Sequence, residues 1–297
     1  MGFKETLDEF TYVKAVADVP MKNYTALGVG GKAKYFAETD SLHALNLLVS
    51  LAKTHRVKYK VIGGGTNLLF SDKGFDGLII NTRQLNDVFT TLDGVKAMAG
   101  AGLNKLIKFC QSNGFTGLEA LSGIPATVGG AVVMNAGAFG RNVSDRLIKV
   151  ETLSNGKIKK YSKEECRFTY RGSRFYKSRE TVVSATFALS ECDKKIISTA
   201  INTYTELRKQ MQPTGKSCGS VFRNPKGISA GALIERSGLK GYAVGGARVS
   251  EKHANFITVS AGAKASDVYA LILHIKDKVK STFDVELVEE VEYVGEF

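Results

Sequence analysis

The sequence predicts a protein that combines α-helices and β-strands in two or three domains. Its 297 residues are more than one average hydrophobic core accommodates. The first and last thirds combine apolar residues at helical spacing with short alternating runs that are typical of strands. The middle third is mostly strand-like, and Asn155-Gly156 between two apolar runs is a strong hairpin signal.

The predicted elements fall into three segments, about 1–83, about 84–190 and the rest of the chain. In the first segment, Ser41 is a candidate N-cap for a helix over 42–52, and strands are expected over 57–62 and 78–80. In the second, apolar residues over 103–110 predict a helix that is closed by Gly114. The hairpin pairs 150–153 with 158–161. In the third, helices are expected over 194–209, around Leu233 and from Ser266, with strands over 256–259 and 285–294.

Composition limits the function classes. Lys and Arg exceed Asp and Glu by 41 to 29, which gives a net charge of +12 and favours anionic partners. The basic residues are dispersed, so nucleic acid is not expected as a partner. The four cysteines lie far apart without a CxxC pair, which predicts reduced thiols, no metal site and a cytoplasmic protein. No apolar run is long enough to span a membrane or to form a signal peptide.

Three glycine patterns suggest phosphate binding. Gly28-Val29-Gly30-Gly31 lacks the preceding strand and following helix of a dinucleotide fingerprint, and Gly215-Lys216-Ser217 lacks the first glycine of a Walker loop. The third pattern, 63–67, follows a strand without opening a helix. Its glycine amides are compatible with an anion-binding nest or with a simple turn. The apolar, glycine-rich run 121–140 has neither helical nor strand period, and a loop of that length is usually functional.

Seven motifs occur in a specific order: TALGVGG (25–31), GGGTNLL (63–69), SGIPATVGGAVVMNAGAFG (122–140), YRGSRF (170–175), SCGSVFRNP (217–225), GGARVSEKHANF (245–256) and EEVEYVGE (289–296). In this order they resemble the UDP-N-acetylenolpyruvoylglucosamine reductases of bacterial cell-wall synthesis. The resemblance extends from about Tyr24 to Glu296 and is closest to the shorter subtype of the family. The longer subtype has a substrate-loop tyrosine, and none is assigned in this chain.

The resemblance implies an α+β fold, with a two-part FAD-binding module of the vanillyl-alcohol-oxidase type over 1–83 and 84–200, followed by a separate α+β substrate domain over 201–297. It implies non-covalent FAD, NADPH as hydride donor, a nucleotide-sugar substrate and a monomer. The cofactor would bind two glycine-rich loops, where amides can approach a diphosphate without obstruction from a Cβ atom. The residues so assigned are Gly63, Gly64, Gly65, Thr66, Asn67, Ser122, Gly123, Ile124, Pro125, Thr127, Gly129, Gly130, Asn135, Ala136 and Gly137.

The resemblance also implies the catalytic residues. Hydride addition to the β-carbon of the enolpyruvyl ether leaves negative charge on the α-carbon and carboxylate, which must be stabilised and protonated. Ser220 matches the proton donor of the family, although a serine after Gly219 is equally compatible with a turn. Arg171 and Glu290 match the pair that polarises the carboxylate, and this role would give Glu290 a raised pKa. The residues expected to bind substrate are Tyr170, Lys216, Asn224, Arg248, Lys252 and His253.

Two other classes stay open on sequence grounds. A related flavoenzyme that oxidises an alcohol or a sugar would use the same scaffold. Such enzymes often attach flavin through His or Cys near the first glycine loop, and neither occurs between His55 and Cys110. A binder of nucleic acid or another polyanion would suit the net charge, but no motif of aromatic and basic residues supports it.

Overall fold

The computed structural model describes residues 2–178 and 180–297. The helices of this part are α1 (Phe3–Asp8), α2 (Leu42–Thr54), α3 (Leu103–Asn113), α4 (Val128–Met134), α5 (Lys194–Met211), α6 (Ala230–Arg236) and α7 (Ala265–Phe283). The strands are β1 (Ala15–Pro20), β2 (Lys32–Glu38), β3 (Tyr59–Ile62), β4 (Leu68–Phe70), β5 (Phe75–Asn81), β6 (Val88–Thr91), β7 (Gly94–Met98), β8 (Phe115–Thr116), β9 (Gly137–Ala138), β10 (Arg141–Asn142), β11 (Leu147–Ser154), β12 (Lys157–Ser162), β13 (Thr181–Phe187), β14 (Ser190–Glu191), β15 (Ala243–Val244), β16 (Ala247–Val249), β17 (Ile257–Val259) and β18 (Glu292–Val294). Helices and strands are not in regular alternation, which confirms the α+β class.

The chain divides into two compact units, each made of three segments. Unit 1 consists of Met1–Val16, Tyr35–Gly64 and Gly77–Leu207. Unit 2 consists of Ala17–Lys34, Gly65–Asp76 and Arg208–Phe297. The division into 1–83, 84–200 and 201–297 stays a prediction. Among the described residues, no helix combines the length and the apolar character needed to cross a membrane.

One core of unit 1 lies under α2. The predicted cap is confirmed, because the Ser41 hydroxyl oxygen accepts a hydrogen bond from the Ala44 amide at 3.2 Å. Leu45 and Leu48 are buried on the inner face of this helix, as the spacing predicted. They pack with Leu78 and Ile80 of β5, which pairs in parallel with β3 in the sheet ordered β1-β2-β5-β3.

The second core of unit 1 lies beside a sheet ordered β12-β11-β13-β7-β6. The predicted hairpin is confirmed: β11 and β12 pair antiparallel, and Asn155 and Gly156 both adopt positive φ, 48° and 77°. Helix α3 ends at Gly114, which has φ 75° as a left-handed C-cap requires. Helix α4 lies within the run 121–140, where the sequence showed no period.

Unit 2 has its core around α7, whose buried face includes Val268, Leu271 and Ile275. Helix α6 and the sheet β15-β16-β17 contribute to the same core. Asp72 caps α7, because its carboxylate accepts hydrogen bonds of 2.8 Å from the amides of Ala265 and Ser266. Partial burial opposes ionisation of Asp72, but these hydrogen bonds outweigh it and lower the pKa of the carboxyl group.

The final segment of the chain differs from its prediction. The prediction of a single strand over 285–294 is wrong, because only β18 (Glu292–Val294) forms a strand there, and it pairs in parallel with β4. The residues before β18 bond to a different segment: the Val288 carbonyl accepts from the Arg223 amide at 2.8 Å, and the Glu290 amide donates to the Val221 carbonyl at 2.7 Å. The chain therefore changes partner between Glu290 and Glu292.

Candidate active site

The first glycine-rich loop joins β3 to β4. Within the described residues, none of the backbone amides of 63–67 donates a hydrogen bond to a protein acceptor. Gly65 has φ 64°, and a Cβ atom built on it would lie 2.0 Å from the Tyr24 carbonyl oxygen, so only glycine fits there. The loop therefore presents consecutive donors that the protein itself does not use, as an anion-binding nest requires.

The second glycine-rich loop meets the first at Thr127. A Cβ atom built on Gly63 would lie 2.1 Å from Thr127 Oγ1, and Thr127 is only 5% exposed. Gly129 is similarly confined, since its Cβ would lie 2.9 Å from the Ala99 side chain. The amides of Ala126, Thr127 and Gly130 have no protein acceptor among the described residues. Unit 1 thus brings together two of the segments that were predicted to bind FAD.

The remaining residues of this loop are fixed by internal hydrogen bonds. The Gly123 amide donates to Asn104 Oδ1 at 2.9 Å, and the Ser122 amide donates to the Glu119 carbonyl at 3.0 Å. Pro125 is exposed, and Ile124 and Ala136 are half-buried. These hydrogen bonds restrain the main chain of the loop at Ser122 and Gly123.

The segment 170–175 is fastened to the end of this loop. Asn135 adopts φ 46°, and its Nδ2 donates to the Thr169 carbonyl at 3.0 Å while its Oδ1 accepts from the Ser144 amide at 3.2 Å. Arg171 Nη2 donates to the Gly137 carbonyl at 3.0 Å, and Ser173 Oγ donates to the Val133 carbonyl at 2.8 Å. Arg171 is thereby anchored to the loop that was predicted to hold the cofactor.

Tyr170 precedes this anchor and is 52% exposed. The Arg171 guanidinium lies 5.2 Å from the centroid of its ring, within cation–π range. Arg171 itself has φ 53°, which is uncommon outside glycine and is frequent at functional sites. The exposed Tyr170 and the half-buried Arg171 therefore form a pair beside Gly137.

The residues of unit 1 fit a flavin diphosphate by two criteria. Backbone donors at 63–64, 126–127 and 130 have no protein acceptor among the residues that the structure describes, and glycine at 63 prevents a side chain from filling the space beside Thr127. Neutral amides and a threonine hydroxyl are suitable partners for diphosphate oxygens.

In unit 2, Ser220 and Glu290 lie on adjacent segments. Residues 220–222 pair antiparallel with 256 on one side and with 289 on the other, through the bridges Ser220–Phe256 and Phe222–Glu289. The Glu290 amide donates to the carbonyl of Val221, directly after Ser220 in the chain. Both side chains are half-buried. The fold therefore brings together two of the three predicted catalytic residues, whereas Arg171 belongs to unit 1.

A buried thiol lies near this pair. Burial, with a smaller contribution from the negative charge of Glu290, raises the pKa of Cys218 to about 12. The thiol is therefore neutral at physiological pH.

The residues predicted to bind substrate are all in unit 2, apart from Tyr170. Asn224 Oδ1 accepts from the Ala230 amide at 3.0 Å, and the Lys216 side chain lies against Gly28, where a Cβ atom would be 2.7 Å from Lys216 Cδ. Lys252 Nζ donates to the Lys209 carbonyl at 2.5 Å. Arg248 is exposed on β16.

His253 has structural contacts. Its Nδ1 accepts a hydrogen bond from the Asn255 amide at 3.2 Å, and its ring packs edge-on against Phe256. Burial lowers its pKa, so the imidazole is neutral at physiological pH and does not supply a cation for a diphosphate. A role in substrate binding stays a prediction for all six residues.

Sequence reasoning missed Asn255. Its side chain is 3% exposed and bonds to both main-chain groups of Phe222. The available signal was a polar residue within the otherwise apolar run 254–257, since a buried amide needs partners.

Similarity to known proteins first defines the class of protein to which this chain belongs. Residues 33–162 match the FAD-binding domain family, and this stretch contains both glycine-rich loops. A structure described as Physcomitrella patens BBE-like 1 shares the fold alone, with a TM-score of 0.51 and 17% identity over 64% of this chain and 45% of the other. The protein is an FAD-dependent oxidoreductase with a cofactor module of the vanillyl-alcohol-oxidase type.

The family follows from the rest of the chain. Residues 210–294 match the C-terminal domain of UDP-N-acetylenolpyruvoylglucosamine reductase. The Carboxydothermus hydrogenoformans enzyme of that name is 41% identical, over 99% of this chain and 98% of its own. The crystal structure of the Thermus caldophilus reductase gives a TM-score of 0.80 at 35% identity and covers 96% of this chain and 100% of the other. The chain belongs to the UDP-N-acetylenolpyruvoylglucosamine reductase family.

Proposed function

We propose that this protein reduces UDP-N-acetylenolpyruvoylglucosamine to UDP-N-acetylmuramate in peptidoglycan precursor synthesis, with NADPH as hydride donor and non-covalent FAD. The observation that carries the proposal is family membership over nearly the whole chain, from the FAD-binding domain to the C-terminal domain. The nucleotide sugar is an anion, and the net charge of +12 favours its approach.

The two glycine-rich loops hold the cofactor diphosphate in this proposal. The amides of 63–67 and of Ala126, Thr127 and Gly130 supply the donors, and the confined glycines keep Cβ atoms away from the anion. When bound, FAD supplies hydride transfer from NADPH to the β-carbon of the enolpyruvyl group. The protein supplies orientation, exclusion of water and a proton.

Ser220 is proposed as the proton donor. After hydride addition, negative charge lies on the α-carbon and carboxylate of the substrate, and the Ser220 hydroxyl transfers its proton to the α-carbon. A serine is a weak acid, so this transfer requires a strongly basic carbon and a closely defined distance. The segment 220–222 is bonded on both sides, which limits movement of the hydroxyl.

Arg171 and Glu290 are proposed to act on the substrate carboxylate. A guanidinium can donate two parallel hydrogen bonds to a carboxylate, which stabilises the charge that develops on it. Glu290 shares a proton or hydrogen bond with the same carboxylate. The exposed cations Lys216, Arg248 and Lys252, together with Tyr170, Asn224 and His253, are proposed to bind the UDP-sugar.

The cysteines bear on the cellular compartment in which the enzyme acts. None of the four cysteines, all of them within the described residues, forms a disulfide, which is consistent with a reducing cytoplasm. We propose that the enzyme acts there as a monomer without a nucleic-acid partner. Gel filtration of the flavin-loaded protein tests the oligomeric state, and DNA titration at low salt tests the absence of nucleic-acid binding.

The test of the reaction uses the visible absorption of the flavin. NADPH is added without oxygen, followed by UDP-N-acetylenolpyruvoylglucosamine. The flavin absorption should bleach and then return. Return of the absorption on exposure to oxygen but not with this substrate would favour the alcohol or sugar oxidase alternative, and absence of flavin even after addition of FAD would exclude both flavoenzymes.

The role of Ser220 is tested with a matched pair of variants. Ser220→Ala should bleach with NADPH at the wild-type rate but should not recover with substrate. Ser217→Ala removes a hydroxyl three residues earlier and should recover normally. Equal loss of both half-reactions in Ser220→Ala would contradict the role of proton donor.

A further inference from the structure

The segment that contains Ser220 is flanked by two other segments of unit 2. On one side, the Val221 amide donates to the Asn255 carbonyl at 2.9 Å. On the other side, the Val221 carbonyl accepts from the Glu290 amide at 2.7 Å. The main chain of Val221 therefore joins the segment of Asn255 to that of Glu290.

The Asn255 side chain completes this arrangement. Its Oδ1 accepts from the Phe222 amide at 2.9 Å, and its Nδ2 donates to the Phe222 carbonyl at 2.8 Å. One primary amide thus satisfies both main-chain groups of a residue that lies 33 positions away in the sequence. Among side chains of this length only asparagine carries a donor and an acceptor in this geometry, because aspartate lacks the donor when ionised.

Asn255 is itself restrained. The Asn255 amide donates to His253 Nδ1, and the Phe256 amide donates to the His253 carbonyl at 2.9 Å. Ser250 Oγ accepts from the amides of Lys252 and His253 at 3.1 and 3.3 Å. A buried side chain on such a turn is fixed before any ligand binds.

We propose that Asn255 is a positioning residue for the reduction of the enol ether, because it sets the separation between the Ser220 hydroxyl and the Glu290 carboxyl group. The proposal rests on the function proposed above. Asn255 does not touch the reacting atoms in this role. It fixes Phe222 two residues after Ser220, and a displacement of about 1 Å at such a site can slow a reaction by about a hundredfold.

Loss of the Asn255 side chain should affect only one of the two half-reactions. Protonation of the substrate depends on Ser220 and Glu290, whereas reduction of the flavin by NADPH does not require either residue. In Asn255→Ala, the rate of flavin reoxidation by substrate should fall by about a hundredfold, with the rate of reduction by NADPH nearly unchanged. Anaerobic stopped-flow absorbance measures both rates separately.

A stability-matched control separates positioning from general loss of folding. Asp72→Asn weakens the capping of α7 in the same unit and lies outside the proposed site. It should lower the melting temperature and leave both half-reactions intact. In the apo-protein, Asn255→Ala should accelerate hydrogen exchange of the Phe222 amide, and Asp72→Asn should not.

Asn255→Asp provides a second readout that does not depend on a large loss of stability. The protonated acid has both a donor and an acceptor and can replace the amide, whereas the ionised form repels the Phe222 carbonyl. Burial raises the pKa of the introduced acid. The reoxidation rate of this variant, relative to wild type at the same pH, should therefore be highest at low pH and should fall as the pH rises.

The outcomes discriminate between the two proposals. If Asn255→Ala slows both half-reactions equally or slows neither, and Asn255→Asp has the pH profile of wild type, the positioning role is overturned while the proposed function stands. If the wild-type flavin is reduced by NADPH but is not reoxidised by the substrate, the proposed function is overturned, and the positioning role with it.

Discussion

The side-chain amide of Asn67 donates a 2.8 Å hydrogen bond from Nδ2 to the main-chain carbonyl of Glu290, 223 residues later in the sequence. The Asn67 carbonyl also accepts a 2.9 Å hydrogen bond from the Glu292 amide. The residue that ends the first glycine-rich loop therefore fixes the backbone on both sides of Val291. In unit 2 a proposed flavin-binding residue is bonded directly to a proposed catalytic residue.

Removal of this bond should destabilise unit 2. Asn67→Ala leaves the Glu290 carbonyl without the donor and should lower the free energy of unfolding by about 1 kcal/mol. Asn67→Asp keeps the size but lacks the donor at neutral pH, so it should cost at least as much. Urea denaturation of the flavin-free protein measures both. Wild-type stability in both variants would show that the bond contributes nothing in solution.

The contact between Gly63 and Thr127 predicts a second effect. Gly63→Ala places a methyl group 2.1 Å from Thr127 Oγ1, and the overlap should cost about 1–3 kcal/mol of stability and reduce flavin retention. Gly102→Ala is the control, because φ is −62° and nothing lies within 4 Å of its Cβ position. Thermal unfolding and the ratio of flavin to protein absorbance report the result. Equal behaviour of the two variants would contradict the close approach.

Arg171 should not be replaceable by lysine. Arg171→Lys removes the planar pair of donors, and loss of a charged hydrogen bond of about 1.5–3 kcal/mol corresponds to about tenfold or more in kcat/KM for the enol ether. Reduction of the flavin by NADPH should be unaffected.

Arg174→Lys is the matched control for Arg171→Lys. Arg174 is exposed and lies over the Tyr161 ring at 4.1 Å. Steady-state kinetics should show near wild-type values for this variant. A comparable loss of kcat/KM in both variants would mean that Arg171 contributes only to the stability of the fold.

The buried thiols predict a pH dependence. Burial raises the pKa of Cys110, Cys166 and Cys218 to about 12. The unfolded thiols ionise near their ordinary value of 9.0, so the unfolded state releases protons first. The contribution to stability is complete below pH 9 and is lost progressively between pH 9 and pH 12.

Denaturant unfolding at a series of pH values from 8 to 12 measures this loss of stability, and alkylation checks the burial on which it depends. At pH 8, iodoacetamide should modify the half-buried Cys192 and should spare the other three cysteines until the protein unfolds. Mass spectrometry of tryptic peptides identifies the modified residues. Modification of Cys218 in the folded protein at the rate of Cys192 would contradict its burial.

Local signals in the sequence were sufficient for most helices and for the hairpin. Ser41 begins α2 and Gly114 ends α3 because each satisfies main-chain groups within its own helix. Asn155 and Gly156 form the turn because both tolerate positive φ. These determinants lie within a few residues of the elements that they define, so no tertiary information was needed.

Helix α4 could not be predicted in this way. Gly129 and Gly130 disfavour a helix by propensity, yet Gly129 occurs there because its Cβ would lie 2.9 Å from Ala99. The final segment changes partner at Glu290 for a similarly non-local reason, since its two partners lie at 221–223 and at 68–70. The pairing of Asn255 with Phe222 is also invisible in the sequence. The resemblance to a family supplied the candidate site, whereas these contacts explain how its residues are fixed.

The three-segment composition of unit 2 determines when this unit can fold during synthesis. Segments 17–34 and 65–76 leave the ribosome before 208–297, the segment that completes their unit. Strand β4 pairs with Glu292–Val294, which are made long after β4 itself. The apolar residues Leu27, Val29 and Leu69 must therefore wait for the rest of their core. Translation must therefore pass Val294 before unit 2 can form, so ribosome stalling or termination before that point leaves these earlier segments exposed to chaperones and proteases.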